Sequence, residues 1–216
     1  MKSYKDIKYE LYLVTDRDLL NGQDFLKSLE QGILGGVSVV QLREKSASSL
    51  EFYNLAVEVK KLTDRYDIPL IINDRVDIAL AVDADGVHIG QSDLPANIVR
   101  KIIGQSKILG VSTANLDEAK KAIEDGADYI GVGALFPTIT KTNTRKVDLD
   151  QLKHIKANIN IPIVGIGGIN ESNIKSVIET GIDGVALVSA ILSKDNIKEA
   201  AEKLYNEIYM LKNHRR

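Results

Sequence analysis

The chain has no cysteine. That excludes disulfide bridges, thiolate metal sites and cysteine nucleophiles, and it fits a reducing compartment. There is no surplus of positive charge either: 28 Lys and Arg stand against 30 Asp and Glu, for a net charge of -2. Such a balance offers no global attraction to nucleic acid or to an anionic membrane, and neither is expected as a partner. No apolar run approaches the roughly 18 residues of a membrane span. Residues 1–10 are mixed and charged, without the apolar core of a signal peptide. The basic end His214-Arg215-Arg216 reads as a solvated tail. A cytoplasmic protein is expected. Linkers and low-complexity segments are also missing, so residues 1–216 read as one domain. The 44% of hydrophobic and 27% of charged residues match an ordinary globular fold.

What is there is a repeated alternation. Short Val- and Ile-rich runs are separated by amphipathic stretches from end to end. Strands are predicted at Leu11–Thr15, Val37–Leu42, Leu70–Asn73, Gly86–Ile89, Ile108–Ser112, Tyr129–Val132, Ile163–Gly165 and Val185–Val188. They lack strict polar alternation, as strands buried on both faces do. Residues 48–66 carry apolar positions near a helical repeat. Asn115 with Glu118 three residues on resembles a capping box. Asn170 stands where a helix N-cap is expected, ahead of Ile174, Val177 and Ile178. Gly126 and Gly181 follow helical stretches, where a left-handed C-cap is easiest for glycine. Three segments enter a strand alike: Asp83-Ala84-Asp85-Gly86-Val87, Asp125-Gly126-Ala127-Asp128-Tyr129 and Thr180-Gly181-Ile182-Asp183-Gly184-Val185. Eight β/α units predict an α/β fold, a closed (β/α)8 TIM barrel. A doubly wound open sheet would carry a Gly-rich turn after its first strand, where this chain has Asp16-Arg17-Asp18.

A barrel puts its chemistry at the carboxyl ends of the strands. Nearly all those ends are polar or glycine here, whereas strand starts such as Ile68-Pro69 and Ile161-Pro162 are bland. The second strand runs into Gln41-Leu42-Arg43-Glu44-Lys45. With a period of two, Gln41, Arg43 and Lys45 share one side. Two buried cations and an amide are costly without an anion, so a diphosphate or phosphate site competes with a salt-bridged strand end. Gly165-Ile166-Gly167-Gly168 and Val188-Ser189 follow strands seven and eight, where barrels bind phosphate through backbone N–H groups; the alternative is that the glycines only serve tight turns. Asp74 and Asp93 lie on adjacent loops. Each alone reads as a helix cap; together with Arg43 and Lys45 they suit a hard cation bound through oxygen, Mg²⁺ above all. Asn73 suits the organic part of a substrate. Residues 133–146 form the longest connection, carrying hydroxyls, Lys141 and Arg145, as an anion-binding lid would. His88 reads as a hydrogen-bonded core or rim residue, and His154 as a surface residue. No residue is well placed for strong general-base work, so the site looks built to stabilise a leaving anion.

These residues resemble the thiamine-phosphate synthase family. The matching segments are QLREK at Gln41–Lys45, NDR at Asn73–Arg75, GVHIGQSDLP at Gly86–Pro95, GVST at Gly110–Thr113, GALFPTITK at Gly133–Lys141, GIGGIN at Gly165–Asn170 and VSAI at Val188–Ile191. They span most of the chain, in the family's order. The resemblance implies small-molecule substrates: a hydroxymethylpyrimidine diphosphate and a thiazole phosphate, carboxylated or not, joined to give thiamine phosphate and pyrophosphate. It implies that Gln41, Arg43, Lys45 and Asn73 hold the pyrimidine diphosphate and that Asp74 and Asp93 ligate Mg²⁺. Ser112 and Lys141 would approach the diphosphate and pyrimidine, with Arg43, Ser112 and Lys141 closest to the chemistry. Thr138, Thr140, Gly168, Val188 and Ser189 would bind the thiazole phosphate. The implied mechanism is dissociative, pyrophosphate leaving before the thiazole nitrogen attacks. Relatives acting as thiazole tautomerases or regulators share the barrel but look less complete in the diphosphate-binding set. A sugar-phosphate isomerase would need a pair poised for proton transfer, and a non-catalytic phosphate-binding module would bind without turnover. A homo-oligomer is compatible with the sequence.

Overall fold

The computed structural model describes residues 7–138 and 145–213. Eight parallel strands close into a barrel in sequence order: β1 (Leu11–Val14), β2 (Val39–Leu42), β3 (Leu70–Asn73), β4 (Gly86–Ile89), β5 (Ile108–Thr113), β6 (Tyr129–Val132), β7 (Ile163–Ile166) and β8 (Gly184–Leu187). β8 pairs back onto β1, so the sheet has no free edge. Helices α1 (Phe25–Leu34), α2 (Ser49–Arg65), α3 (Val76–Ala81), α4 (Ala96–Ile103), α5 (Leu116–Glu124), α6 (Leu149–Asn158), α7 (Ile174–Ile178), α8 (Ser189–Leu192) and α9 (Ile197–Asn213) surround it. The expected TIM barrel is therefore the fold, and an open doubly wound sheet is not. None of the described helices is long and apolar enough to cross a membrane.

Strand side chains alternate between two cores. Leu11, Leu13, Val40, Leu42, Leu70, Ile72, Val87 and Ile89 belong to the layer between sheet and helices. Their neighbours Tyr12, Val14, Val39, Ile71, Tyr129 and Val164 fill the barrel interior. Both faces are covered, which is why the strands read as apolar runs.

Several helix ends follow the residues expected. Ser48 and Glu51 form a reciprocal capping box at α2. Asn115 accepts from Glu118 N at 2.9 Å, and Glu118 in turn takes Ala114 N. Gly126 and Gly181 have φ of 93° and 92°. Asn170 is a correction: its carboxamide closes a turn onto Ser172 N, and α7 starts later, with Asn173 at its N-cap.

The bottom rim explains the repeated segments. Ser38, Asp85, Asp128 and Asp183 each stand one residue before an even-numbered strand, opposite the residue just below the first ladder pair. Each side chain accepts the N–H that the ladder leaves unpaired. Leu11 N reaches Ser38 Oγ at 3.3 Å, Leu70 N reaches Asp85 at 2.9 Å, Leu109 N reaches Asp128 at 2.7 Å, and Ile163 N reaches Asp183 at 2.8 Å. A cation from the helix leading into the odd strand backs each carboxylate: Lys60 at 3.8 Å, Arg100 at 2.5 Å and Lys156 at 2.8 Å. A side chain thus substitutes for a backbone acceptor and pins register.

Asp85 is the most enclosed of the three carboxylates, its side chain only 4% exposed. Asp85→Ala should cost about 2–3 kcal/mol, because it strands the buried Leu70 N–H. Asp85→Asn keeps an acceptor and should recover much of that loss. Urea denaturation of the three proteins measures both; equal stability would refute the lock.

Candidate active site

The carboxyl ends of the strands surround a cavity of about 640 Å³. Every strand contributes: Thr15 follows β1, Gln41, Arg43 and Lys45 come with β2, and Asn73 and Asp74 with β3. His88 and Asp93 come with β4, Ser112 with β5, Thr138 with the β6 loop, Gly168 with β7, and Val188 and Ser189 with β8. All the site residues singled out from sequence that lie among the described residues line this one cavity. Thr140 and Lys141 lie outside the described residues. A second depression of about 690 Å³, between α1 and α2, is lined by Leu26, Glu30, Glu58, Lys61 and Arg65. It sits on the helical surface and gathers no groups from the strand ends, so the chemistry belongs to the first.

One wall is charged. Gln41, Arg43 and Lys45 line the cavity, while the intervening Leu42 packs into the outer core and Glu44 pairs with Arg17 at 2.8 Å. The period of two thus persists beyond the last strand residue. The Arg43 backbone N–H donates to Thr15 Oγ1 at 3.0 Å, and its guanidinium lies 3.7 Å from Asp16. Lys45 Nζ sits 2.5 Å from Asp74 Oδ2.

The two aspartates are not helix caps. Arg75 occupies the N-cap position of α3 and Pro95 that of α4, and neither helix has a side-chain cap. Asp74 leaves β3 with φ of 63°, while its N–H donates to His88 O at 2.8 Å. Left-handed backbone is tolerated by Asp better than by most residues, and such conformations gather at functional sites. Asp93 accepts from Gly90 N at 2.7 Å. Burial holds the Asp93 carboxyl above its ordinary value, against the pull of the Gly90 N–H, and the adjacent Asp74 carboxylate adds to the rise. Two carboxylates crowded beside one ammonium form an oxygen donor set for a hard cation. Among the described residues no cluster of three or more His, Asp or Glu side chains is placed to hold a metal by itself. Any cation here would complete its shell from ligand and water.

The opposite wall is backbone. Gly167 and Gly168 have φ of 101° and 61°. A Cβ on Gly168 would lie 2.4 Å from Pro137 O, so only glycine lets the β6 and β7 loops press together. Leu135 N and Phe136 N donate to Ile166 O and Gly167 O, each at 3.0 Å. α8 starts at Ser189, just after β8, whereas α7 starts six residues beyond Gly168 and its end does not adjoin the glycines.

Arg145 lines the cavity, and its guanidinium also forks onto Glu118 and holds that carboxyl below the usual range, with the Ala114 N–H helping. This ion pair anchors the far end of the loop to the start of α5.

The floor was largely missed from sequence. Gln41 Nε2 donates to Tyr12 Oη at 2.8 Å, and Tyr12 Oη lies 2.7 Å from Tyr129 Oη. His88 Nδ1 is 2.9 Å from Tyr129 Oη, and His88 Nε2 is 2.9 Å from Ser112 Oγ. His88 is thus a hydrogen-bonded residue beneath the cavity, as its sequence context suggested, and His154 is exposed on α6. The signal for the rest was available: a tyrosine inside a strand buried on both faces must find a partner for its hydroxyl.

Comparison with known proteins agrees with this geometry. The family profile described as Thiamine monophosphate synthase matches residues 11–191. The thiamine-phosphate synthase of Alkaliphilus oremlandii is 72% identical over 204 residues, 94% of this chain and 98% of that protein. That of Clostridium tetani is 60% identical over 200 residues, 93% of this chain and 96% of that protein. The solved thiamine phosphate pyrophosphorylase of Pyrococcus furiosus superposes with a TM-score of 0.88 at 38% identity, over 95% of this chain and 98% of that one. The profile spans most of the barrel and the relatives align over nearly their full length; the chain belongs to the thiamine monophosphate synthase family.

Proposed function

We propose that the top cavity joins a pyrimidine bearing a diphosphate ester to a thiazole phosphate, giving thiamine phosphate and pyrophosphate in thiamine biosynthesis. One observation carries the assignment of ligands within the cavity: its walls are chemically segregated. Cations and carboxylates from the β2, β3 and β4 ends face the glycine backbone after β7 and the uncharged Val188 and Ser189 after β8. A diphosphate belongs on the first wall and a monophosphate on the second.

Arg43 and Lys45 hold the diphosphate by charge-assisted hydrogen bonds. Gln41 and Asn73 orient the pyrimidine, and Ser112 sits between ring and diphosphate. Thr138, Gly168, Val188 and Ser189 receive the thiazole phosphate, largely through backbone N–H groups; Thr140 and Lys141 complete the set by resemblance. The Asp74 and Asp93 pair fits Mg²⁺, which when bound supplies neutralising charge to the departing diphosphate. The protein's own part is to stabilise that leaving anion and to keep the two rings together. His88, the one imidazole lining the cavity among the described residues, is engaged by Tyr129 and Ser112, so a dissociative departure suits this site better than base catalysis.

Pyrophosphate release by the purified protein should require both substrates and Mg²⁺, and a chelator should abolish it. Release without the pyrimidine diphosphate would refute the assignment. Arg43→Ala should raise KM for the diphosphate substrate about 10- to 100-fold, the ~1.5–3 kcal/mol of a charge-assisted hydrogen bond, and leave KM for the thiazole phosphate within about 2-fold. Equal losses for both substrates would overturn the two-wall assignment. Asp93→Asn should raise the Mg²⁺ concentration for half-maximal rate by about 10-fold or more, read from a metal titration.

A further inference from the structure

The chain of hydrogen bonds under the cavity has a direction. A carboxamide N–H can only donate, so Gln41 gives its proton to Tyr12 Oη. Burial pushes the Tyr12 and Tyr129 phenols above their ordinary range, so each keeps its single proton at neutral pH. If Tyr129 donated to Tyr12, the Tyr12 oxygen would accept twice and its own buried proton would meet no acceptor. An unmade buried hydroxyl bond disfavours that arrangement by about 10- to 100-fold. Tyr12 therefore donates to Tyr129, and the Tyr129 proton goes to His88 Nδ1. His88 Nδ1 then accepts, Nε2 carries the proton, and Nε2–H donates to Ser112 Oγ.

We infer that His88 is a positioning residue: locked as the Nε2–H tautomer by Tyr129, it occupies the acceptor side of Ser112 and leaves the Ser112 proton to point into the cavity. The contact is built for. Gly110 on β5 faces it, and a Cβ there would lie 2.2 Å from Tyr129 Cζ and 2.4 Å from His88 Nδ1. The missing side chain is what lets phenol and imidazole meet. This deepens the function proposed above and rests on it at one point: the group awaiting the Ser112 proton is an oxygen of the leaving diphosphate. A hydroxyl already turned toward developing negative charge needs no reorientation in the transition state. With the Gln41 amide turned the other way, every bond would reverse and Ser112 would spend its proton on His88. The tautomer of His88 reports which direction holds.

The test is a two-bond ¹⁵N–¹H imidazole spectrum of the labelled free protein, with the His88 signal assigned by its loss in His88→Gln. Nε2–H is expected, and Nδ1–H overturns the inference without any activity measurement. In Tyr129→Phe, the tautomer preference should weaken. There kcat should fall about 10-fold with KM for the diphosphate substrate little changed. The double variant Ser112→Ala/Tyr129→Phe should be no slower than Ser112→Ala alone, within about 2-fold. Fully additive losses, or a lost kcat with an unmoved tautomer, would reduce Tyr129 to packing and overturn the relay. Absence of pyrophosphate release in the unaltered protein would instead refute the cavity's function, while the His88 spectrum still decided the chain's direction.

Discussion

At the bottom of the barrel a side chain takes the place of a backbone carbonyl four times, at Ser38, Asp85, Asp128 and Asp183. Each bond ties the start of an odd strand to the strand after it. A strand places alternate side chains on opposite faces, so a slip of one residue would exchange inside for outside. With register held, Gln41, His88 and Ser112 face the barrel axis while Leu42, Ile89 and Val111 face the helices. The register that keeps apolar residues in the outer core is therefore the one that aims the polar residues at the cavity. Fold and site depend on the same bonds.

The two ends of the barrel use charge differently. At the bottom, Lys60, Arg100 and Lys156 are matched to carboxylates that already accept backbone N–H groups. Arg100 also donates to the carbonyls of Gly104, Lys107 and Gly126, closing two loops at once. At the top, Lys45 reaches Asp74 at 2.5 Å, but Asp93 crowds the same carboxylate, and burial together with that neighbouring charge holds the Asp93 carboxyl above its ordinary value. A crowded carboxylate pair of this kind is expected where a charged ligand completes the arrangement. Between the two ends lies an interior of tyrosine, histidine and glutamine, whose hydroxyls and ring nitrogens satisfy one another. It carries polar order from the middle of the barrel to the edge of the cavity.

Much of this was legible residue by residue. The eight apolar runs gave the strands to within a residue or two, and polar strand ends marked the top face. The like entries to β4, β6 and β8 were visible as repetition, though only the structure shows that their shared aspartate stands in for a ladder acceptor. Asp74 and Asp93 were ambiguous, since a carboxylate before a helix is ordinarily a cap; the N-caps fall at Arg75 and Pro95 instead. Asn170 misled for the same reason, because a carboxamide can close a local turn as readily as it caps a helix. The ion pair of Arg145 is not legible in its own loop, because its partner, Glu118, is 27 residues away in the first turn of α5.

Local pattern in the chain determined the fold class, the order of its elements and the chemical types gathered at the strand ends. Those properties follow from hydrophobic periodicity and turn chemistry, which act over a few residues and are written in consecutive positions. Tertiary structure alone decided which distant groups meet. Tyr12 touches Tyr129 across 117 positions of sequence. Asp74 crowds Asp93 between neighbouring loops, and the missing side chain of Gly110 admits a bond between two other strands. Such pairings are set by closing the sheet on itself. Closure brings β8 back to β1 and points one residue in two at a common axis, a condition that no short stretch of sequence can state.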